Sequence, residues 1–397
     1  MPDPSVAEHR ARVLAGLSAL GRTEVLPVVD AFGRVLAEDV TAVLAVPPFD
    51  HSAMDGFAVR AVDVASVPTV LPVIGVIAAG DPAIPLTDGT AIRIMTGAIV
   101  PPGADLVVPF EWTTGAETGT EPVTVTRTAP AGWHIRREGE DVAAGAVALR
   151  AGRRLGPAQV GLLTSIGRPE VVLTARPRLG VISTGAELVD GLVPDSNTAT
   201  LLAAGHAAGA EATGFGPVPD DPAALREQLA HAAELCDIVV TTGGISAGDH
   251  DVVKAALRDE PGFWFGPVAM KPGRPQGHGT VTTADGRRVP VVTLPGTPVA
   301  AYASFLLYVV PALRVLAGLP AQSRTAVLAA PVEAGDRTVL LPGRYDDDGR
   351  IRPLPGHAGH SQGLLATADA LLVVPPTGRL VTEGESIEVL ALHPEED

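Results

Sequence analysis

From Arg178 onward the chain alternates short apolar runs with helical segments, and this alternation limits the possible folds more than any other feature. Leu179–Ser183 reads as a buried strand, followed by a loop and a helix over Thr198–Ala208. A short strand is expected near Thr213–Val218. Asp221-Pro222 then starts a helix to about Leu235, with Asp at the N-cap and Pro at the first helical position. Asp237–Thr242 reads as another buried strand, Asp251–Asp259 as helix, and Phe263–Met270 and Val289–Leu294 as strands. A long helix runs from there to Leu316. Such alternation predicts an α/β domain built on a parallel sheet covered on both faces. Ligands of such sheets bind at the carboxyl ends of the strands.

Three strand ends carry the chemistry. Thr241-Thr242-Gly243-Gly244-Ile245-Ser246-Ala247-Gly248-Asp249-His250-Asp251 follows a strand and precedes a helix. Glycines there let backbone N–H groups approach a phosphate, and a helix N-terminus favours an anion. The segment is neither a Walker loop nor a dinucleotide fingerprint, and taken alone it is equally a tight turn. Met270-Lys271-Pro272-Gly273-Arg274-Pro275 is the second loop. Lys254 and Lys271 are the only lysines in an arginine-biased chain, and both fall in or beside the proposed site. A lysine offers a compact point charge where arginine offers a fork. Leu294-Pro295-Gly296-Thr297-Pro298 is the third strand end opening a helix.

Carboxylates supply the rest. Asp55 lies in His51–Arg60, Asp141 in Arg136–Asp141 and Glu187 in Ser183–Leu188, and Thr96 sits in Arg93–Gly97. Carboxylates beside phosphate loops suit a hard cation such as magnesium. Each also has a plainer reading: a turn for Asp55-Gly56, helix capping or a solvated face for Glu187. His357 and His360 have metal-like spacing without a third ligand, and read as loop histidines.

The flanking regions differ in character. Val6–Leu20 has apolar residues at helical spacing, and a second short helix is expected near Val28–Leu36. From Pro47-Pro48 to about Trp133 the chain reads as short strands between Gly and Pro, including Thr69–Ile77, Ala91–Met95 and Pro122–Arg127. That pattern predicts a small inserted β domain, after which His134–Val172 returns to the N-terminal helices. Beyond Pro320, Thr325–Val332, Thr338–Leu341, Ala370–Val374 and Ser386–Ala391 read as strands.

Composition excludes several classes. A formal charge of −16 repels nucleic acid, and aromatics at 4% are too sparse for base stacking. The single cysteine, Cys236, rules out an intrachain disulfide or a cysteine zinc site and reads as a buried thiol. The N-terminus is not a signal peptide, and Val299–Leu313 is too short to span a bilayer and is interrupted by Pro311. A soluble cytoplasmic protein with no membrane partner is expected.

The segments PPFDHSAMDGFAVR, RIMTGA, IRREGED, STGAEL, DSNT, TTGGISAGDHD, MKPGRP and LPGTP, in this order, resemble the MoeA family, relatives of the gephyrin E domain. The resemblance implies four parts: a discontinuous helical and β region over 1–46 and 134–175, an inserted β-rich lid over 47–133, a MogA-like α/β domain over 176–318, and a C-terminal β barrel over 319–397. It implies a homodimer whose site lies between the α/β domain of one subunit and the inserted domain of the other. The implied reaction takes adenylylated molybdopterin and molybdate, with magnesium, and yields molybdenum cofactor and AMP. A MogA-type adenylyltransferase is an implied partner.

By position, Asp55, Thr96, Asp141, Glu187 and Asp251 match the family's functional acids and threonine, and Glu187 and Asp251 would be the magnesium ligands. The implied ligand-binding residues are Thr184 and Gly185 on the first loop, and Gly243, Gly244, Ser246 and Gly248 on the second. Lys271, Arg274 and Pro275 follow, then Pro295, Gly296 and Thr297, with Ser361 from the C-terminal part.

Departures cluster on the implied oxyanion side. The family usually has Asn at His51 and Thr297, Ser at Ala300 and Lys at Arg274. Its PGRxxFxR pattern appears as Pro342–Gly349 with Arg350 one place late, and its glycine–serine segment as Gly359-His360-Ser361. The leading reading is a molybdenumtransferase. Alternatives are a pterin-binding carrier or scaffold without insertion activity, and an adenylyl transferase. The extra domains count against the last.

Overall fold

The computed structural model describes residues 2–116, 119, 121–245, 251–321, 323–356 and 361–392. Residues up to Thr23 and from Thr174 onward form one compact unit, and Glu24–Leu173 forms another.

In the first unit a six-stranded sheet runs in the spatial order Glu211–Gly214, Arg178–Ser183, Ile238–Thr242, Arg288–Leu294, Pro275–Thr282, Trp264–Pro267. The first four strands are parallel, with Val181 opposite Val240 and Val240 opposite Val292. Alternate residues feed two cores: Val181, Val240 and Val292 one, Ile182, Val239 and Val291 the other. Burial on both faces explains why these strands read as unbroken apolar runs.

The sheet is mixed, which corrects the all-parallel expectation. Pro275–Thr282 pairs antiparallel with both Arg288–Leu294 and Trp264–Pro267. Its sequence, PQGHGTVT, hides a strand because two of its residues are glycines with a packing role. A Cβ at Gly279 would stand 2.4 Å from the Phe263 ring, and one at Gly277 2.6 Å from Phe265. The glycines make room for those rings over the strand.

Helix ends follow local chemistry. Asp221 accepts from the Ala223 N–H and Pro222 opens Pro222–Leu235, as expected. Asp195 caps Ser196–Ala207 by accepting from Thr198 N–H at 3.0 Å. The N-terminal helix is only Val6–Leu14, held by a Ser5–Glu8 capping box. It stops short of Leu20 because Gly16 takes a left-handed φ of +79°. Leu17 and Leu20 still pack on the same core.

The long helix is composite. Pro298–Ser304 is α, Phe305–Val309 is one π turn, and Val310–Leu316 is α again. Pro311 has no N–H to give the Leu307 carbonyl four residues back. Arg10 of the N-terminal helix supplies the missing donor, its Nε reaching Leu307 O at 3.0 Å. The 19-residue stretch Pro298–Leu316 is long and apolar enough to cross a membrane by length and composition, but 72% of its apolar window is buried inside this unit.

A second sheet, built mainly from residues after this helix, forms in the order Met270–Lys271, Thr338–Tyr345, Ala370–Val374, Ser386–Ala391, Arg324–Val327, with Ile351–Pro353 beside Thr338–Tyr345. Met270–Lys271 thus leaves the Phe263–Met270 run expected as one strand and joins a different sheet. The strand order has two ends, and a parallel bridge links them: Leu328, directly after Arg324–Val327, pairs with Ile351 of the strand beside Thr338–Tyr345, and Ala329 N–H donates to Ile351 O at 2.8 Å.

In the second unit Gly56–Val59 lies between Ala91–Ile94 and Leu106–Pro109, with Val73–Ile77 beyond. All four residues of Gly56–Val59 are buried. Phe57 and Val59 join one core while Ala58 joins another. Thr69–Leu71, Val123–Val125 and Thr113–Gly115 form a three-stranded sheet. The Val28–Leu36 segment holds only a 3-10 turn over Val28–Asp30, because Gly33 at φ +75° breaks it. A separate core joins Val28, Leu36, Val40 and Ala42 to Leu155, Leu163 and Ile166.

Candidate active site

At the carboxyl ends of the parallel strands the first unit opens a cleft of about 400 Å³. Its walls are the turn after Arg178–Ser183 (Thr184, Gly185, Glu187), the turn after Ile238–Thr242 (Gly243, Gly244) and Gly296 after Arg288–Leu294. Ser196 and Asn197 at the start of Ser196–Ala207, together with Asp220 and Asp251, complete the lining. This is where an open α/β sheet binds ligands.

The turns touch backbone to backbone, which is why glycines stand there. Gly243 has φ +94°, and a Cβ on it would sit 2.8 Å from Thr184 O. A Cβ on Gly296 would come 3.2 Å from the Gly243 Cα. Direct bonds cross the turns: Thr184 N–H donates to Thr242 O at 3.1 Å, and Gly243 N–H to Leu294 O at 3.2 Å.

Two side chains stitch the turns together. The buried Thr242 hydroxyl donates to Pro295 O at 2.9 Å and accepts from Asn197 Nδ2 at 3.0 Å. The same amide donates to Gly296 O at 2.8 Å. A carbonyl acceptor fixes which end of the amide is NH₂. Neither Thr242 nor Asn197 was singled out as a ligand residue from sequence. The signal for Asn197 is its place directly after a helix cap, in the DSNT segment.

Four carboxylates face the cleft, and no Lys or Arg lines it among the described residues. Asp195 is committed to Ser183 Oγ (2.5 Å) and Thr198 N–H, and Asp220 accepts from Ala186 N–H at 3.2 Å. Glu187 is exposed at the rim. Asp251 is buried and ion-pairs with Lys254 at 3.2 Å. Among the described residues no group of three or more Asp, Glu, His or Cys side chains gathers to hold a metal ion. Ser246 and Gly248 lie outside the described residues, as do His357 and His360.

Lys271, Arg274, Pro275 and Thr297 do not line this cleft among the described residues. Pro295 enters through its carbonyl, and Thr297 is the N-cap of Pro298–Ser304. Register still places the Lys271–Arg274 loop at the same sheet end, since Gly277 pairs with Thr293 and the strand begins beyond it at Pro275. Ser361 is the N-cap of the short helix Gln362–Leu365, and Gln362 Nε2 reaches Ser196 Oγ at 3.3 Å on the cleft rim.

In the second unit Asp55 and Thr96 form a pair. The Thr96 N–H and hydroxyl both donate to Asp55 Oδ1 at 2.7 Å. These two bonds hold the Asp55 carboxyl below its ordinary value, with a smaller contribution from Arg93. Gly56, next to Asp55, admits no side chain, since a Cβ would overlap Val108 O. Asp141 is exposed just after the Arg137–Glu140 turn, and its N–H donates to Val46 O at 3.1 Å. No hydrogen bond joins Asp141 to Asp55 or Thr96 among the described residues. That turn is fixed by Asp50, which accepts from Glu138 N–H and pairs with Arg137 at 2.5 Å.

Fold and cleft define a multidomain protein whose α/β part carries a cleft walled by glycine turns at the carboxyl ends of its parallel strands. Family comparison agrees part by part. Residues 4–167 match the MoeA N-terminal region (domain I and II), 180–315 a probable molybdopterin binding domain, and 325–392 the MoeA C-terminal region (domain IV). The chain belongs to the MoeA family. It is 39% identical to molybdopterin molybdenumtransferase 2 of Mycobacterium tuberculosis, over 97% of this chain and 98% of that one. It is 36% identical to the molybdopterin molybdenumtransferase of Haemophilus influenzae, over 78% of this chain and 77% of that one. The crystal structure of the molybdopterin biosynthesis MoeA protein from Pyrococcus horikoshii superposes with a TM-score of 0.83 at 28% identity, covering 98% of this chain and 100% of that chain.

Proposed function

We propose that this chain is a molybdopterin molybdenumtransferase, which takes adenylylated molybdopterin and molybdate and yields molybdenum cofactor and AMP. The observation that carries the proposal is the cleft walled by Thr184–Glu187, Thr242–Gly244 and Gly296, in a family whose relatives bear that name. Glycine turns bring main-chain N–H groups close to phosphate oxygens, and the N-terminus of Ser196–Ala207 adds its favourable dipole. Thr242 and Asn197 keep the turns in register.

A cation is part of the proposal, supported by the carboxylates of the cleft. The four carboxylates among the described lining residues would repel a phosphorylated pterin. Magnesium keeps most of its waters and takes one or two carboxylates plus substrate phosphates. Glu187 and Asp251 would hold it, and bound there it would offset charge on the phosphates. Asp251 is ion-paired with Lys254 at 3.2 Å, which holds its side chain at the cleft wall. Asp55, with Thr96 donating twice to one oxygen, keeps an ionised carboxylate whose second oxygen is available to orient water. We place it, with Thr96 and Asp141, among the reaction's catalytic groups. Lys271, Arg274, Thr297 and Ser361 are assigned to the oxyanion, and Gly185, Gly244, Ser246, Gly248, Pro275 and Pro295 to the pterin and its phosphates.

The proposal includes a cytoplasmic homodimer, a MogA-type adenylyltransferase as supplier of the substrate, and the four-part division at 46, 133, 175 and 318. Reconstitution tests it. Purified protein incubated with adenylylated molybdopterin, molybdate and magnesium should activate a cofactor-free molybdoenzyme. Tight pterin retention with no activation would instead make the chain a carrier.

A further inference from the structure

Arg274 stands on a loop that is held from several sides. Its carbonyl accepts from Val268 N–H at 2.7 Å, and Gln276 Nε2 donates to Gly273 O at 2.7 Å. Gly273 takes φ +94°, a conformation that favours glycine. The backbone of the loop is therefore fixed, while the Arg274 side chain, 57% exposed, is long and flexible.

One partner restrains it. Arg274 Nε donates to Asp3 Oδ2 at 3.0 Å. Asp3 is itself well placed. The next residue, Pro4, accepts from Ala269 N–H at 2.8 Å through its carbonyl, tying the segment to the base of the same loop. Ser5 then starts the Val6–Leu14 helix with a capping box, and Val6, His9 and Val13 bury that helix in the core. Asp3 is thus anchored by a packed helix, unlike the usual surface partner.

The geometry of the pair leaves a fork free. A carboxylate bound at Nε leaves the two Nη groups, which among the described residues have no partner. That outer edge of a guanidinium is what grips a tetrahedral oxyanion through parallel hydrogen bonds. Lys271, three residues earlier, is exposed and has no acidic partner among the described residues.

We infer that Asp3 is a positioning residue for the oxyanion: it orients the Arg274 guanidinium so that its Nη edge works beside Lys271. This rests on the reading of Lys271 and Arg274 given above. A lysine at position 274 would present a compact charge and need no such guide. The flat arginine fork binds only when its Nη edge is turned toward the anion, and a carboxylate fixed on Nε sets that orientation before the anion arrives. The N-terminal segment is thereby coupled to oxyanion affinity.

The test is titration calorimetry of the full-length protein with sodium molybdate, and with tungstate as a second probe. The proteins are wild type, Asp3→Ala, Asp3→Asn, Arg274→Lys and the Asp3→Ala/Arg274→Lys double variant. Asp3→Ala should bind oxyanion about threefold to tenfold more weakly, with Asp3→Asn between, and KM for molybdate should rise alike while kcat holds. In the Arg274→Lys background Asp3→Ala should change nothing further, a coupling that a general loss of structure would not give.

Unchanged affinity in Asp3→Ala would overturn the inference. So would tighter binding, which would make Asp3 a competing internal anion, or an equal loss in the Arg274→Lys background. Wild type that binds neither oxyanion would end the oxyanion assignment together with the role of Asp3. Wild type that binds oxyanion but does not turn over would sink the transferase proposal and leave the Asp3 result standing.

Discussion

Thr242→Val isolates the stitching of the cleft, because it keeps side-chain shape and removes one hydroxyl. Thr242 is 1% exposed. Its hydroxyl makes two bonds, donating to Pro295 O at 2.9 Å and accepting from Asn197 at 3.0 Å. In the variant the buried Pro295 carbonyl loses this donor, which costs about 1–3 kcal/mol. The lost Asn197 bond adds about 0.5–1.5 kcal/mol, since that amide still reaches Gly296 O. Together the expected loss is about 2–4 kcal/mol. The assay is urea unfolding followed through Trp264, the tryptophan of the first unit, alongside pterin affinity. Thr242→Ser keeps the hydroxyl and should lose only about 1 kcal/mol, for one methyl group. With Gly296 and Gly243 no longer held in register, pterin binding should weaken about tenfold in Thr242→Val and little in Thr242→Ser. A Thr242→Val protein within about 0.5 kcal/mol of wild type, with unchanged pterin affinity, would refute the reasoning.

Three further outcomes are expected. Asp55→Ala should abolish turnover with melting temperature nearly unchanged, because Asp55 is exposed and packs against little; an active Asp55→Ala protein would remove it from the mechanism. Arg10→Ala leaves the Leu307 carbonyl without its donor and breaks the ion pair to Glu388, so thermal stability should fall by about 1–3 kcal/mol, while Arg10→Lys should recover only part. His9 sits among Trp264, His278 and Tyr308 with both ring nitrogens unpartnered among the described residues, and burial pushes its pKa down to about 3. The unfolded chain takes up that proton near pH 6.5, so stability is retained above about 6.5 and falls as pH drops from there toward 3, by at most about 1.4 kcal/mol per pH unit. His9→Phe should flatten that slope in urea unfolding at about pH 7.5 against about pH 5.5, and His278, also lowered by burial, should account for the remainder.

Much of the α/β part could be read from sequence, because its strands are apolar runs closed by glycine turns and its helices carry caps such as Asp221-Pro222. The glycine turns after Thr242 and Leu294 were legible as cleft walls for the same reason. Reading failed where tertiary contacts decide. Pro275–Thr282 is a strand only because rings from Phe263 and Phe265 fill the space of missing side chains. Met270–Lys271 changes sheets, which no local pattern reveals. Pro311 was seen as an interruption, but its repair by a π turn and Arg10 depends on a helix nearly three hundred residues away. Asn197 was inside a recognised segment, yet its bonds to Thr242 and Gly296 connect loops far apart in sequence. Lys271 and Arg274 share the sheet end with the cleft without lining it, a distinction that register shows and spacing does not.

Molybdate-dependent release of AMP tests the central claim most directly. Purified protein with adenylylated molybdopterin and magnesium should release AMP when molybdate is added, and should fall to background without molybdate, with a chelator present, or as Asp251→Ala. Pterin bound stoichiometrically with no AMP released in molybdate would contradict the account and leave the cleft as a carrier site.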